Sequence, residues 1–233
     1  GKEINMPNHD KLVDKERGIS MVDDTLYFYA NYEHLTSEKK ASLYEFLSSY
    51  GRDEAGSVLY RKGYPVAFLD TIGMISPFLI RYGRDQSVPG AIALGMRQVE
   101  AFFKNGMDST SRLPYHGYNV RKQEKCGIVG WGRGMGWLMI GLSESLGWLD
   151  QDSAEYKELE GYLLQMIESS LAYLREDGSF SWQLQALEGH EDTSVAAMIG
   201  YALAHYDYLS KQNLYTREIK LIAARLKDNI GLN

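Results

Sequence analysis

Trp131-Gly-Arg-Gly-Met-Gly-Trp137 runs without a break into Leu138-Met-Ile-Gly-Leu-Ser-Glu-Ser-Leu146. The second half is apolar on nearly every side, which predicts a helix enclosed by neighbours rather than one lying on a surface. The first half places three glycines in seven residues at the mouth of that helix. Each costs about 1 kcal/mol in a helix relative to alanine. Glycine is worth that cost where another backbone or a ligand comes close. Two readings follow. In one, Arg133 and the indoles of Trp131 and Trp137 receive an acidic, flat ligand, because an arginine fork holds a carboxylate. In the other, the glycines serve a tight helix–helix contact and Arg133 is a surface cation.

The same pattern recurs on both sides of this stretch. Asp24-Thr25 opens Leu26-Tyr-Phe-Tyr-Ala30, Asp70-Thr71 opens Ile72-Gly-Met-Ile-Ser-Pro-Phe-Leu-Ile80, and Asp192-Thr193 opens Ser194-Val-Ala-Ala-Met198. With Trp131 in the third place, the entrances lie 46, 61 and 61 residues apart. Between them run amphipathic segments such as Tyr156 to Leu174, with Leu159, Leu163, Met166, Ile167 and Leu171 on one face. One inner and one outer helix fill such a period, and repetition at this scale predicts stacked helical hairpins. The expected fold is all-α: a toroid of inner helices enclosed by outer ones, of the (α/α)6 type but shortened to about four to five hairpins. It is read as a single domain over 1–233, with 1–20 irregular.

Bulk composition narrows the function. A net charge of −6, a pI near 5.4 and no Lys/Arg cluster argue against nucleic-acid binding. No apolar run reaches the ~18 residues of a membrane span. The single cysteine, Cys126, excludes an intrachain disulfide and a cysteine-rich zinc site and fits a reducing compartment. The polar start Gly1-Lys-Glu-Ile-Asn5 does not read as an export signal, so a cytoplasmic location is expected, with an exported form left open. Seventeen tyrosines, seven phenylalanines and four tryptophans give an aromatic content common where sugars bind, although most such rings serve the core.

The long connections all precede inner helices: 56–69, 108–130 and 177–191. Loops of that length tend to carry function. Helix N-termini gathered at that mouth favour an anion. Asp70 is either an N-cap, as Asp24 and Asp192 can be, or a carboxylate facing a ligand. His116, in Tyr115-His-Gly-Tyr-Asn119, is an acid/base candidate or a histidine packed between tyrosines. His190 and Asp192 lack the further ligands a metal would need, so no metal site is expected. No phosphate-binding loop, dinucleotide fingerprint, nucleophile elbow or zinc-protease motif is present.

Taken together, Phe68-Leu-Asp-Thr-Ile-Gly-Met-Ile-Ser-Pro-Phe-Leu-Ile-Arg-Tyr-Gly83, Tyr115-His-Gly-Tyr-Asn119, Trp131 to Trp137, Gly178-Ser-Phe-Ser-Trp182 and His190-Glu-Asp-Thr-Ser194 resemble glycoside hydrolase families 88 and 105, the unsaturated glucuronyl and rhamnogalacturonyl hydrolases. The resemblance spans roughly residues 20 to 210. It implies an (α/α)6 barrel and hydration of the 4,5-double bond of a terminal unsaturated uronic acid on an oligosaccharide, without metal or cofactor. An aspartic acid would protonate C4, water would add at C5, and the hemiketal would open to release the next sugar. The resemblance carries one family aspartate onto Asp70. The other, in the rhamnogalacturonyl branch, falls at Asn119, where this chain has an amide that exchanges no proton as a carboxylate does, and in the glucuronyl branch just before the Trp-Arg motif, where Gly127-Ile-Val-Gly130 offers no acid. His116, Trp131, Arg133, Trp137, Trp182, His190, Asp192 and Met74 are then the expected contacts of an acidic oligosaccharide. A non-catalytic toroid that binds acidic sugars or a protein partner is the alternative that Asn119 favours.

Overall fold

The structure is a computed structural model and describes residues 18–229. The expected irregular first twenty residues lie, through residue 17, outside the described ones. Among the described residues there are eight α-helices: α1 (Asp24–Ala30), α2 (Ser37–Ser49), α3 (Asp70–Asp85), α4 (Pro89–Asn105), α5 (Gly132–Leu146), α6 (Ala154–Leu171), α7 (Thr193–Ser210) and α8 (Thr216–Asn229). They pair as four hairpins. The inner helices α1, α3, α5 and α7 contact one another in that order. The outer helices α2, α4, α6 and α8 stand behind them.

Local chemistry sets these boundaries. Thr36 caps α2 by accepting from Lys39 N at 3.3 Å, and Ser153 caps α6 by accepting from Tyr156 N at 3.1 Å. Pro89 occupies the first turn of α4, where its missing N–H costs nothing. The outer helix α6 buries Tyr156, Leu159, Leu163, Met166 and Ile167 as the sequence spacing predicts. Its partner α5 buries Met135, Leu138, Met139, Leu142 and Leu146, each at most 1% exposed. Each such side chain contributes about 1.5–3 kcal/mol of transfer free energy.

The three glycines of the 131–137 stretch serve packing, not a ligand. A Cβ on Gly132 would lie 2.5 Å from Val195 Cγ2, one on Gly136 would lie 2.6 Å from Met198 Cβ, and one on Gly134 would lie 2.8 Å from the Trp131 ring. Two of the three therefore let α5 approach α7. The tightest approach in this layer is between α3 and α5, where Gly73 faces Trp137 and Gly141.

One expectation fails on α7. Its sequence is apolar all round, yet Ala197, Tyr201, Ala204 and Tyr208 are exposed along one face. Within the described residues α7 packs mainly on α5 and α8, which cover only part of its circumference. Away from the mouth, Glu144 of α5 ties three inner helices together. Tyr29 OH of α1 donates to its Oε2 at 2.6 Å, and Tyr201 of α7 donates to its Oε1.

Three short antiparallel strands join the loops at the mouth: β1 (Ala67–Phe68), β2 (Gly117–Asn119) and β3 (Glu124–Cys126). Ala67 pairs with Tyr118 and Phe68 with Gly117. The sequence shows no convincing alternating strand longer than four residues, and these are two or three residues each. Their pairing nonetheless decides the geometry of the site.

Candidate active site

Asp70 opens α3, but it does not cap it. The N-cap is Leu69, and no side chain bonds the first-turn N–H groups. The β1–β2 pairing, extended by Leu69 N donating to His116 O at 3.0 Å, sets His116 beside Asp70. His116 Nε2 and Asp70 Oδ2 are 3.0 Å apart, with side chains 35% and 15% exposed, so the pair is held by protein yet open to a ligand. When Asp70 is ionised the imidazole N–H donates to it, and when Asp70 carries the proton the imidazole accepts. One proton can thus be held between the two groups.

The pair forms one wall of a cavity of about 630 Å³, within the range of small-molecule sites. Met74, one turn along α3, also lines it. The rest of the lining comes from the loop before β1, including Tyr60, Arg61, Lys62 and Tyr64. Tyr64 stacks on Phe68 with ring centroids 6.0 Å apart, and Phe68 leans on His116 at 4.8 Å. These rings give the cavity flat apolar faces of the kind that receive a sugar ring.

Trp131 occupies the N-cap position of α5 without a side-chain cap bond and meets His116 edge-on at 4.7 Å. The guanidinium carbon of Arg133 also lies 5.1 Å from the indole centroid. Arg133 is ion-paired with Asp192, and Asp192 caps α7 by accepting from Ser194 N at 3.0 Å. Trp182 stacks on His190 with centroids 5.9 Å apart, next to the same strand-like contacts that join residues 181–183 to Trp131 and Glu191. The expected contacts therefore fall into two groups bridged by Trp131. Asp70, His116 and Met74 line the cavity. Arg133, Asp192, Trp182 and His190 form a neighbouring cluster that does not.

Asn119 and Trp137 are placed differently from expectation. Asn119 is 6% exposed, pairs with Glu124 across the β2–β3 hairpin, and accepts from Lys122 N at 3.2 Å through its side-chain oxygen. Its amide closes a turn and does not line the cavity. Trp137 sits on α5 against Gly73, half-buried in the helix contact. Tyr118, also a distinctive loop residue in the sequence, is 1% exposed and bonds Ser57 Oγ at 2.6 Å. Burial drives its phenol far above the ordinary tyrosine range.

Sequence reasoning missed Tyr60, Arg61 and Lys62. The signal was there: two basic residues between two tyrosines, in a long loop before an inner helix, with Gly63 next to them. Nothing in a one-dimensional pattern says which of three loops folds over Asp70.

The sequence profile of Glycosyl Hydrolase Family 88 matches residues 18–223. Unsaturated rhamnogalacturonyl hydrolase YesR of Bacillus subtilis is 23% identical over 164 residues, which cover 70% of this chain and 46% of that protein. The chain spans about half the length of the curated relatives it matches. Among solved structures, a family 105 glycoside hydrolase from C. acetobutylicum superimposes with a TM-score of 0.76 at 20% identity, covering 87% of this chain and 60% of that one. A family 88 glycosyl hydrolase from Bacteroides vulgatus gives 0.71 at 16% identity, covering 94% and 66%. At such identities the structural likeness establishes the helical toroid fold. The profile match over most of the chain establishes the family, and this chain belongs to glycosyl hydrolase family 88.

Proposed function

We propose that the protein hydrates the 4,5-double bond of an unsaturated uronic acid at the non-reducing end of an oligosaccharide. The observation that carries this reading is Asp70. It opens a helix without capping it, and its carboxylate is instead bonded to His116 at 3.0 Å on the wall of an aromatic-lined cavity. The family supplies the reaction type, and the YesR relative bears the name of an unsaturated rhamnogalacturonyl hydrolase.

In this reading the sugar lies against Tyr64 and Phe68, with C4 towards the Asp70–His116 pair. The pair delivers its shared proton to C4, and the electrons of the C4=C5 bond form the new C–H bond. The positive charge left on C5 and the ring oxygen is quenched by water. The partner left without a proton takes one from that water, so the pair ends as it began. The hemiketal at C5 opens, and the next sugar leaves. Asp70 and His116 replace the pair of aspartates that the family resemblance leads one to expect, because Asn119 is occupied in its hairpin turn. The acidic oligosaccharide is the one partner this requires. A cytoplasmic setting belongs to the same proposal, where the thiol of Cys126 stays reduced.

The test is the ultraviolet absorbance of the conjugated C4=C5 bond in oligosaccharides from lyase-digested pectin and glycosaminoglycans. The expected result is a loss of absorbance that Asp70→Asn abolishes and His116→Ala cuts by about 10²-fold or more. Asn119 also favours a second reading, a toroid that binds acidic sugars without turning them over. Unchanged absorbance with every digest, while the same sugars still bind, would select it.

A further inference from the structure

We propose that Arg61 and Lys62, not Arg133, receive the sugar carboxylate and make this site selective for acidic over neutral sugars. The proposal rests on the hydration reading for the pose it assumes, though its test does not require turnover. In an unsaturated uronic acid the carboxylate is on C5, the neighbour of the carbon that takes the proton. A cation that binds it must therefore open into the cavity that holds Asp70. Arg61 and Lys62 line that cavity. Arg133 does not, and its charge is already matched by Asp192. To take a substrate carboxylate, Arg133 would have to release an aspartate whose side chain is 12% exposed and which caps α7.

Arg61 and Lys62 are exposed and have no carboxylate partner among the described residues. They are restrained without being neutralised. The Arg61 guanidinium carbon lies 5.8 Å from the Tyr60 ring centroid, and Lys62 Nζ lies 5.1 Å from that of Tyr50. The backbone here is a formed turn. Tyr64 N donates to Arg61 O at 3.2 Å, with Gly63 at φ +79°, a value its position in the turn requires and other residues resist. Tyr64 then stacks on Phe68, so the turn that carries both cations is tied to the ring that touches His116. The cations and the proton-holding pair are thus parts of one wall-to-wall site. Tyr60 completes the link, since its OH donates to Asp23 Oδ2 at 3.3 Å and holds the loop against the start of α1.

The experiment uses saturated digalacturonate and its full methyl ester, which present the same rings with and without charge. Binding is read by intrinsic tryptophan fluorescence, with Trp131 at the edge of the site as reporter. The proteins are the wild type, Arg61→Gln/Lys62→Gln and Arg133→Gln. The wild type is expected to prefer the acid by roughly 10- to 100-fold, the span of charge-assisted hydrogen bonds. The double variant should lose that preference while binding the ester as before, and Arg133→Gln should keep it. On unsaturated disaccharide, the double variant should raise KM far more than it lowers kcat. A wild type that shows the preference but no turnover leaves this proposal standing and removes the hydration reading. The proposal is overturned if the double variant retains the preference, if it weakens acid and ester equally, or if the wild type binds neither.

Discussion

Replacing Gly73 and Gly161 by alanine makes the same chemical change in two helices and is expected to act in opposite directions. In a helix interior, alanine is favoured over glycine by about 0.8–1.0 kcal/mol. At Gly161, exposed on α6, an added Cβ meets nothing within 4 Å, so that gain is realised in full. At Gly73 the added Cβ would sit 2.4 Å from the carbonyl oxygen of Trp137 and 3.1 Å from its carbonyl carbon. These are backbone atoms of α5, and no rotamer change moves them aside. Restoring ordinary contact needs a shift of about 1 Å between α3 and α5, and such overpacking costs typically 1–3 kcal/mol or more. Gly141 approaches the same point from α5, its Cβ position 2.8 Å from Gly73 Cα, so the two helices have no slack to absorb the shift. The net expectation is about 0–2 kcal/mol of destabilisation for Gly73→Ala, against about 1 kcal/mol of stabilisation for Gly161→Ala. At this chain length each kcal/mol moves Tm by roughly 2–4 °C. Urea midpoints by circular dichroism and thermal scans measure both. The proposed hydration would add a second readout, since α3 carries Asp70 one turn before Gly73 and a misplacement of about 1 Å can cost 10²-fold. If both variants gain stability together, helix propensity outweighs the contact and the account of the α3–α5 approach is wrong.

Asn119→Asp should leave turnover within about threefold, because aspartate keeps the acceptor that closes the turn and the side chain is outside the cavity. A gain in the 10²–10⁴ range of general acid catalysis would show that this position reaches the sugar. Above about pH 10 the fold should lose stability progressively. Burial raises the phenols of Tyr29 and Tyr118 far above their ordinary value and pushes Tyr162 up to about 12, so the unfolded chain releases those protons first. Tyr29→Phe should make the alkaline loss shallower, as followed by tyrosine absorbance and circular dichroism; an unchanged slope would exclude Tyr29 as a contributor. At the acid end, the N–H groups of Arg225 hold the Glu191 carboxyl below its usual value. That contribution is fully present above the ordinary glutamate range and is lost as pH falls through the lowered value. Arg225→Ala should therefore lower Tm at pH 7 and leave it nearly unchanged well below pH 4, a difference that equal losses at both pH values would contradict.

Much of the architecture could be read directly because it is written in short-range periodicity. Apolar residues on every side of Ile72–Ile80 and Leu138–Leu142 mark enclosed helices, and a single apolar stripe from Tyr156 to Leu174 marks an outer one. Their alternation, with entrances 46, 61 and 61 residues apart, then points to the toroid, since each hairpin must bury its face on the next. Asp70 was legible for the same local reason, as a polar residue at the entrance to a buried helix. What local sequence could not decide was whether that carboxylate caps its own helix or faces outward, because both uses need the same residue at the same place. The β1–β2 pairing settles it by bringing His116 across 46 residues to bond Asp70. Arg133 and Asn119 illustrate the same limit. Each stands where the sequence suggests a site, but Asp192, 59 residues away, occupies the first, and a hairpin turn occupies the second. Arg61 and Lys62 are the converse, unremarked in a loop until the turn at Gly63 lays them over the cavity. Helix type follows from spacings of three and four residues and is therefore carried by the chain itself. Partnership between charged side chains depends on distances closed only by folding, and so belongs to the tertiary structure alone.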